Sequence, residues 1–253
     1  MLKKKIMIRT HAIGGASLVE QRAAGLDYVT VGAVSPERRV EDLARMLGWE
    51  PGIALGAGAA FALNADALLA AVDAAIALPS SPKAVLLGPV SFLRLVPVEP
   101  GVDRLALLDR LLPVYEGLLV RLAARGVTWI QLDEPILGEP LPHDWQAALR
   151  KTYARLAQVD PQLLLAADAS PLGPNLPLAC ELPAGGLHVD ALRAPEELRE
   201  IARRLPRDRE LSAGVVDAAV IRPGDLPAAL AAVGDVREMR GGRLWLAAQG
   251  RRA

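Results

Sequence analysis

Val127-Thr128-Trp129-Ile130-Gln131-Leu132-Asp133-Glu134-Pro135 is the stretch whose reading decides the fold. A β-branched, aromatic and aliphatic run of strand length ends on two adjacent acids and a proline. Before it comes Gly126, and before that the long Leu/Arg-rich stretch Asp103–Arg125, a helix whose natural C′ residue is that glycine. After it comes a second helical stretch, Leu141–Gln158. Helix, glycine, buried strand, acidic strand end and helix again make one βα repeat of a parallel sheet.

The same alternation extends in both directions. Core strands are predicted at Lys5–Thr10, Asp27–Gly32, Ala84–Gly88, Val127–Asp133, Gln162–Asp168, Gly185–Asp190, Glu210–Asp217 and Arg243–Ala248. Several are unbroken apolar runs, as strands buried on both faces require. Helices are predicted at Ser17–Ala24, Pro36–Leu47, Asn64–Leu78, Asp103–Arg125, Leu141–Gln158, Pro195–Leu205 and Gly224–Val233. Ser35 and Asn64 are the expected caps, and Pro36 and Pro195 suit a first helical position. Gly52–Ala62 is left as an extra strand or hairpin outside the core. The expectation is an α/β protein folded as a single (β/α)8 TIM-type barrel over residues 1–253, a usual length for one such domain.

Composition excludes several function classes. There are 29 Lys+Arg against 29 Asp+Glu, and aromatic residues are 4%. Zero net charge and few aromatics argue against nucleic acid or an anionic membrane as partner. No apolar stretch is long enough to span a bilayer or to serve as a signal peptide core. The lone cysteine, Cys180, can form no internal disulfide, so a cytoplasmic location is expected.

In a barrel the active site lies at the C-terminal ends of the strands. The residues there are His11, Gly32-Ala33, Pro89 with Ser91, Asp133-Glu134, Asp168, His188 with Asp190, Asp217 and Gln249. Converging carboxylates would make an acidic bowl suited to an amine or other cation, and mutual repulsion would raise their pKa values. Asp133 and Glu134 are the leading catalytic candidates, with Asp168 and Asp217 behind them. His11, Ser91, Asp133 and Asp190 are the substrate-binding candidates. Against this stands the ordinary use of a strand-end Asp, which caps the next helix or holds a loop. His188 is expected to bond within the fold and His143 to be solvated. Lys83 and Lys151 are placed at a strand start or an outer helix, away from Schiff-base chemistry. No phosphate loop, nucleophile elbow or zincin helix is present.

At these strand ends the chain resembles cobalamin-independent methionine synthase. The resemblance is carried by Ile8-Arg9-Thr10-His11, Val85-Leu86-Leu87-Gly88-Pro89-Val90, Leu112-Pro113-Val114-Tyr115, Trp129 to Pro135, Gly186-Leu187-His188-Val189-Asp190, Leu211-Ser212-Ala213-Gly214 and Leu244-Trp245-Leu246. Gly186 to Asp190 and Leu211 to Gly214 point to the family's N-terminal barrel rather than its catalytic one. In the catalytic barrel a His, two Cys and a Glu hold zinc, which activates homocysteine for methyl transfer from a polyglutamylated methylfolate.

The ligand positions implied by the resemblance fall on Ala166, Asp168, Asp190 and Gly250. Alanine and glycine offer no donor, so neither zinc nor another cofactor is expected. A folate-contacting segment after the first strand looks deleted, Ala33 replaces an acid, and alanines such as Ala167, Ala191, Ala218 and Ala247 crowd the mouth. The reading is a methionine-synthase-like barrel not competent for methyl transfer alone. It would act as a binding or scaffold domain for a small amine or amino acid, or for a separate catalytic barrel. The alternatives are a barrel enzyme using a strand-end carboxylate as general base, and residual methyl transfer to homocysteine.

Overall fold

The computed structural model describes residues 6–7, 28–32, 36–77, 81–159, 162–167, 170–217, 231 and 233–249. The expected helix Ser17–Ala24 lies outside these residues, as does all but a fragment of Gly224–Val233.

The strands are β1 (Ile6–Met7), β2 (Tyr28–Gly32), β3 (Ser81–Leu87), β4 (Trp129–Asp133), β5 (Gln162–Ala166), β6 (Gly186–Asp190), β7 (Glu210–Asp217) and β8 (Leu244–Gln249). They pair in parallel, each with its successor, from β2 to β8. Met7 of β1 lies opposite Tyr28, and Ile6 opposite Leu246. The chain is therefore an α/β protein with a curled parallel sheet of TIM-barrel type. The helices are α1 (Pro36–Met46), α2 (Asp66–Ile76), α3 (Pro89–Leu95), α4 (Leu108–Ala123), α5 (His143–Leu156), α6 (Leu176–Glu181), α7 (Pro195–Arg204) and α8 (Gly234–Arg240).

Period-2 alternation sorts the strand side chains. Ile130, Leu132, Leu187, Val189, Leu211 and Ala213 join the large core between sheet and helices. The other face carries Trp129, Gln131, Asp133, His188, Asp190 and Ser212, all buried. Trp129 and Trp245 meet edge to face with centroids 4.7 Å apart. Since β4 and β8 are not neighbours in the sheet, this contact spans its concave side. With Leu164 and Ala247 the two indoles form a second core cluster, which fills the inside of the curl.

Local chemistry accounts for the helices. α7 opens with Pro195, Glu196 and Glu197 and closes with Arg203 and Arg204, each sign of charge at the dipole end it favours. Gly126 takes φ +81° after α4, as the expected C′ glycine should. Arg104 donates to the carbonyls of Leu93 and Val96, at 2.6 and 2.5 Å, closing the C-terminus of α3.

Several expectations are corrected. Asp103–Arg125 is broken: Leu105–Leu107 forms a 3-10 turn before α4 begins. α2 starts after Ala65, and Asn64 does not cap it. Residues 52–62 are irregular, joined to the body by a parallel bridge between Leu55 and Val98 and by Arg110, which donates to the carbonyls of Ala57 and Ala59. α3, α6 and α8 were not anticipated. Pro89–Leu95, given no element in the sequence reading beyond the strand end at Gly88, is a short helix that starts at its proline.

Candidate functional site at the strand ends

Asp133 closes β4 on the concave face and is wholly buried. One carboxylate oxygen accepts from Nε2 of Gln131 at 2.6 Å, and the other is paired with the guanidinium of Arg39. Gln131 in turn accepts from Nζ of Lys83 at 2.6 Å. Lys83, Gln131, Asp133 and Arg39 thus form one polar chain from the interior of the sheet to its C-terminal rim.

Two members of that chain correct the sequence reading. Lys83 is buried on the concave face and bonded to Gln131, not set aside at a strand start. Arg39 was not anticipated as a site residue. The signal was present: Arg39, Leu43 and Leu47 recur at helical spacing, and all three are buried. An arginine on an inward stripe requires a buried acid, since an unpaired buried charge costs several kcal/mol.

Glu134 follows Asp133, and alternation sends it to the opposite face. It too is wholly buried. Its carboxylate accepts from the backbone N–H of Ser91 at 2.7 Å and of Val90 at 3.4 Å, with the Tyr153 hydroxyl 3.5 Å away. Burial pushes its carboxyl up to about 7, against the hydrogen bonds from Ser91, Val90 and Tyr153 that favour the charged form. That value would suit a general base at neutral pH. Its position does not, because Glu134 sits between the sheet and α3, α4 and α5. Tyr115 donates to the Leu87 carbonyl at 2.7 Å in the same layer, and burial raises both Tyr115 and Tyr153.

Glu134 also explains Gly88. A Cβ built on Gly88 would lie 2.1 Å from Oε1 of Glu134. Gly88→Ala is therefore expected to destabilise the chain by about 1–3 kcal/mol, as overpacking does. In a double-mutant cycle by urea denaturation, Glu134→Ala should relieve part of that cost, because it vacates the space the methyl needs.

Ser91, expected to bind substrate, is fully buried, and its Oγ accepts from the N–H of Ile136 at 3.4 Å. Asp190 holds its own loop: Oδ1 accepts from the N–H groups of Leu192 and Arg193 at 3.0 and 3.2 Å, and Oδ2 lies 3.2 Å from the Arg193 guanidinium. His188 Nδ1 is 2.8 Å from Ser212 Oγ, inside the sheet. His143 is exposed, at the first turn of α5. Asp217 ends β7 opposite Gln249, and its side chain lies outside the described residues. His11 and Asp168 also lie outside them. The expected acidic bowl is corrected for the described part: Arg39 and Arg193 neutralise two of its carboxylates, and Glu134 faces away.

The residues at the zinc positions implied by the resemblance do not fit that metal. Ala166 is buried in β5 and has no donor atom. Asp190 is held by its loop and Arg193. Among the described residues no group of three or more His, Cys, Asp and Glu could hold a metal ion.

A curled parallel sheet with helices on its convex side and polar residues at the C-terminal strand ends defines a TIM-barrel-type α/β protein. Residues 54–241 match the family described as cobalamin-independent synthase, N-terminal domain, and the chain belongs to that family. Among solved structures it is similar to a methyltransferase from Methanosarcina mazei, with TM-score 0.70 and 14% identity over 92% of this chain and 77% of that one. It is also similar to a B12-independent methionine synthase from Shewanella sp. W3-18-1, solved in complex with selenomethionine, with TM-score 0.67 and 14% identity over 93% and 78%. A GH18 chitinase from Pseudoalteromonas aurantia follows with TM-score 0.56 and 12% identity over 98% and 94%. At such identities the likeness is one of fold, and this fold hosts unrelated chemistries.

Proposed function

We propose that this chain is a methionine-synthase-like barrel, closed as a single (β/α)8 domain over residues 1–253, that binds or scaffolds and does not transfer methyl groups alone. The observation that carries the reading is the internal use of the strand-end acids. Asp133 is committed to Arg39 and Gln131, Glu134 to the start of α3, and Asp190 to its own loop. A transferring site would instead need a carboxylate free for the substrate amine and soft donors for zinc.

Zinc in this family activates a thiol; here Ala166 and a committed Asp190 make poor ligands, and no step is assigned to it. The small molecules that fit the reading are an amine or amino acid, and the Shewanella protein's selenomethionine makes amino acids the class to test. The macromolecular partner that fits is a separate catalytic barrel. A cytoplasmic setting agrees with a single buried thiol, Cys180, pushed up to about 11 chiefly by burial and so unreactive. Among the described residues no helix is long and apolar enough to cross a membrane.

Elemental analysis of the purified protein, paired with calorimetric titration of homocysteine, tests the reading. Zinc far below one per chain and no binding heat are expected. Stoichiometric zinc with homocysteine heat would overturn it. Calorimetric heat without zinc would instead favour the diverged-enzyme alternative, with Asp168 or Asp217 as general base, to be checked by Asp→Asn replacement.

A further inference from the structure

We propose that a groove at the N-terminal ends of β5, β6 and β7 is a ligand site for a flat heterocycle with the hydrogen-bonding edge of guanine. It lies at the end of the sheet opposite the strand-end acids. The cavity has a volume of about 280 Å³, near the small end of the range for small-molecule sites. Val159, after α5, and Pro183 with Ala184, after α6, supply its apolar surface. Gln162, Asp208 and Arg209 supply its polar groups.

The polar side is held by main-chain carbonyls. Arg240 of α8 donates to the carbonyls of Leu205 and Pro206, at 2.7 and 2.9 Å, and to that of Arg209. This fixes the turn between α7 and β7, which carries Asp208 and Arg209. Arg209 in turn donates from Nη1 to the carbonyls of Cys180 and Leu182, at 3.1 and 2.5 Å. Two arginines in series thus join α8, the turn and the end of α6, so the site is set before a ligand arrives. The groups facing the groove are unspent. Among the described residues, Nε and Nη2 of Arg209 meet no acceptor, and the Asp208 carboxylate and Gln162 carboxamide make no hydrogen bond. A Cβ on Gly185 would lie 2.3 Å from Oε1 of Gln162, so the glycine makes room for that carboxamide.

Asp208 offers acceptors only, and the Arg209 fork beside it offers donors only. Along one edge guanine presents two N–H donors, on N2 and N1, and then two acceptors, O6 and N7. The carboxylate matches the first pair and the guanidinium the second, the commonest partner of O6 and N7. Adenine would set the lone pair of N1 against Asp208. A small ion or zwitterion would gain little, because Asp208 is exposed and ion pairs in water are weak. A flat ring also removes apolar surface of Val159, Pro183 and Ala184 from water. The ligand is a single base or nucleoside and not a strand, in keeping with the chain's zero net charge.

Amide resonances of the full-length chain, followed as guanosine is added, test the proposal. Saturable shifts are expected at Gly185, Asp208 and Arg209. Inosine, which lacks the 2-amino group, should bind about tenfold more weakly, and adenosine should leave these amides unmoved. Asp208→Asn should weaken guanosine binding about tenfold or more, because a carboxamide cannot accept from both N–H groups as a carboxylate does. The variant should unfold at the wild-type urea concentration, since Asp208 holds nothing in the fold. No saturable shifts, equal shifts with adenosine, unchanged affinity in Asp208→Asn, or shifts confined to the C-terminal strand ends near Ser91 and Asp190 would each overturn the proposal. If Asp208→Asn is unstable, the comparison of guanosine with inosine decides. None of these outcomes bears on zinc or homocysteine, so this site and the reading of the strand ends stand or fall separately.

Discussion

Arg39→Met is expected to destabilise the folded chain by about 3–5 kcal/mol, the cost of stripping a buried charge of its partner. Both groups are almost wholly out of water, Arg39 at 5% exposure and Asp133 at 0%. Methionine keeps much of the arginine stem's volume, so the loss isolates the charge rather than the packing. Asp133→Asn keeps the shape of the other partner and should cost less than Asp133→Ala. Removing both charges together should cost clearly less than the sum of the single changes, because the double variant buries no lone ion. Urea denaturation of the full set measures this. A cost under about 1 kcal/mol for Arg39→Met would mean that the pair is not formed in solution. Asp133 would then be open to an outside amine, and the binding reading would move towards an active site.

Trp245→Ala is expected to cost about 3–5 kcal/mol. The indole is 1% exposed and packs edge to face on Trp129 across the concave side of the sheet. Its removal would empty the middle of the cluster with Leu164 and Ala247, which the closely packed strands cannot collapse to fill. Trp245→Phe should recover most of the loss by preserving an aromatic contact with Trp129. Thermal unfolding followed by circular dichroism reads both variants. Equal stability of Trp245→Ala and wild type would contradict the placement of this pair inside the curl.

Much of the fold could be read from residue order, because a parallel sheet writes itself as apolar runs. Glu210–Asp217 has the same limits in sequence and structure, and Pro195–Leu205 differs from α7 by one residue. The misses have local causes. Pro89–Leu95 is only two turns long and its first five residues are all buried, so it carried no amphipathic period by which to recognise a helix after the strand. Leu105–Leu107 shares composition with α4, and only backbone geometry divides them.

The site was legible as positions and not as roles. The strand-end reading found Asp133, Glu134, Asp190 and Ser91. It could not find Arg39, which lies 94 residues from Asp133 in sequence. Period-2 alternation does place Asp133 and Glu134 on opposite faces, so two adjacent acids never formed one catalytic pair. What alternation cannot supply is the partner each side meets: a guanidinium on one face, backbone N–H groups and tyrosines on the other. Those partners turn a candidate acidic bowl into internal structure.

Methyl transfer by the purified full-length chain, supplied with zinc, homocysteine and polyglutamylated methylfolate, tests the central claim most directly. Methionine formed with the chain alone should not exceed that in an enzyme-free control. Zinc-dependent turnover by the chain alone would contradict the account, and would show that a competent site is assembled despite Ala166 and the commitments of Asp133 and Asp190.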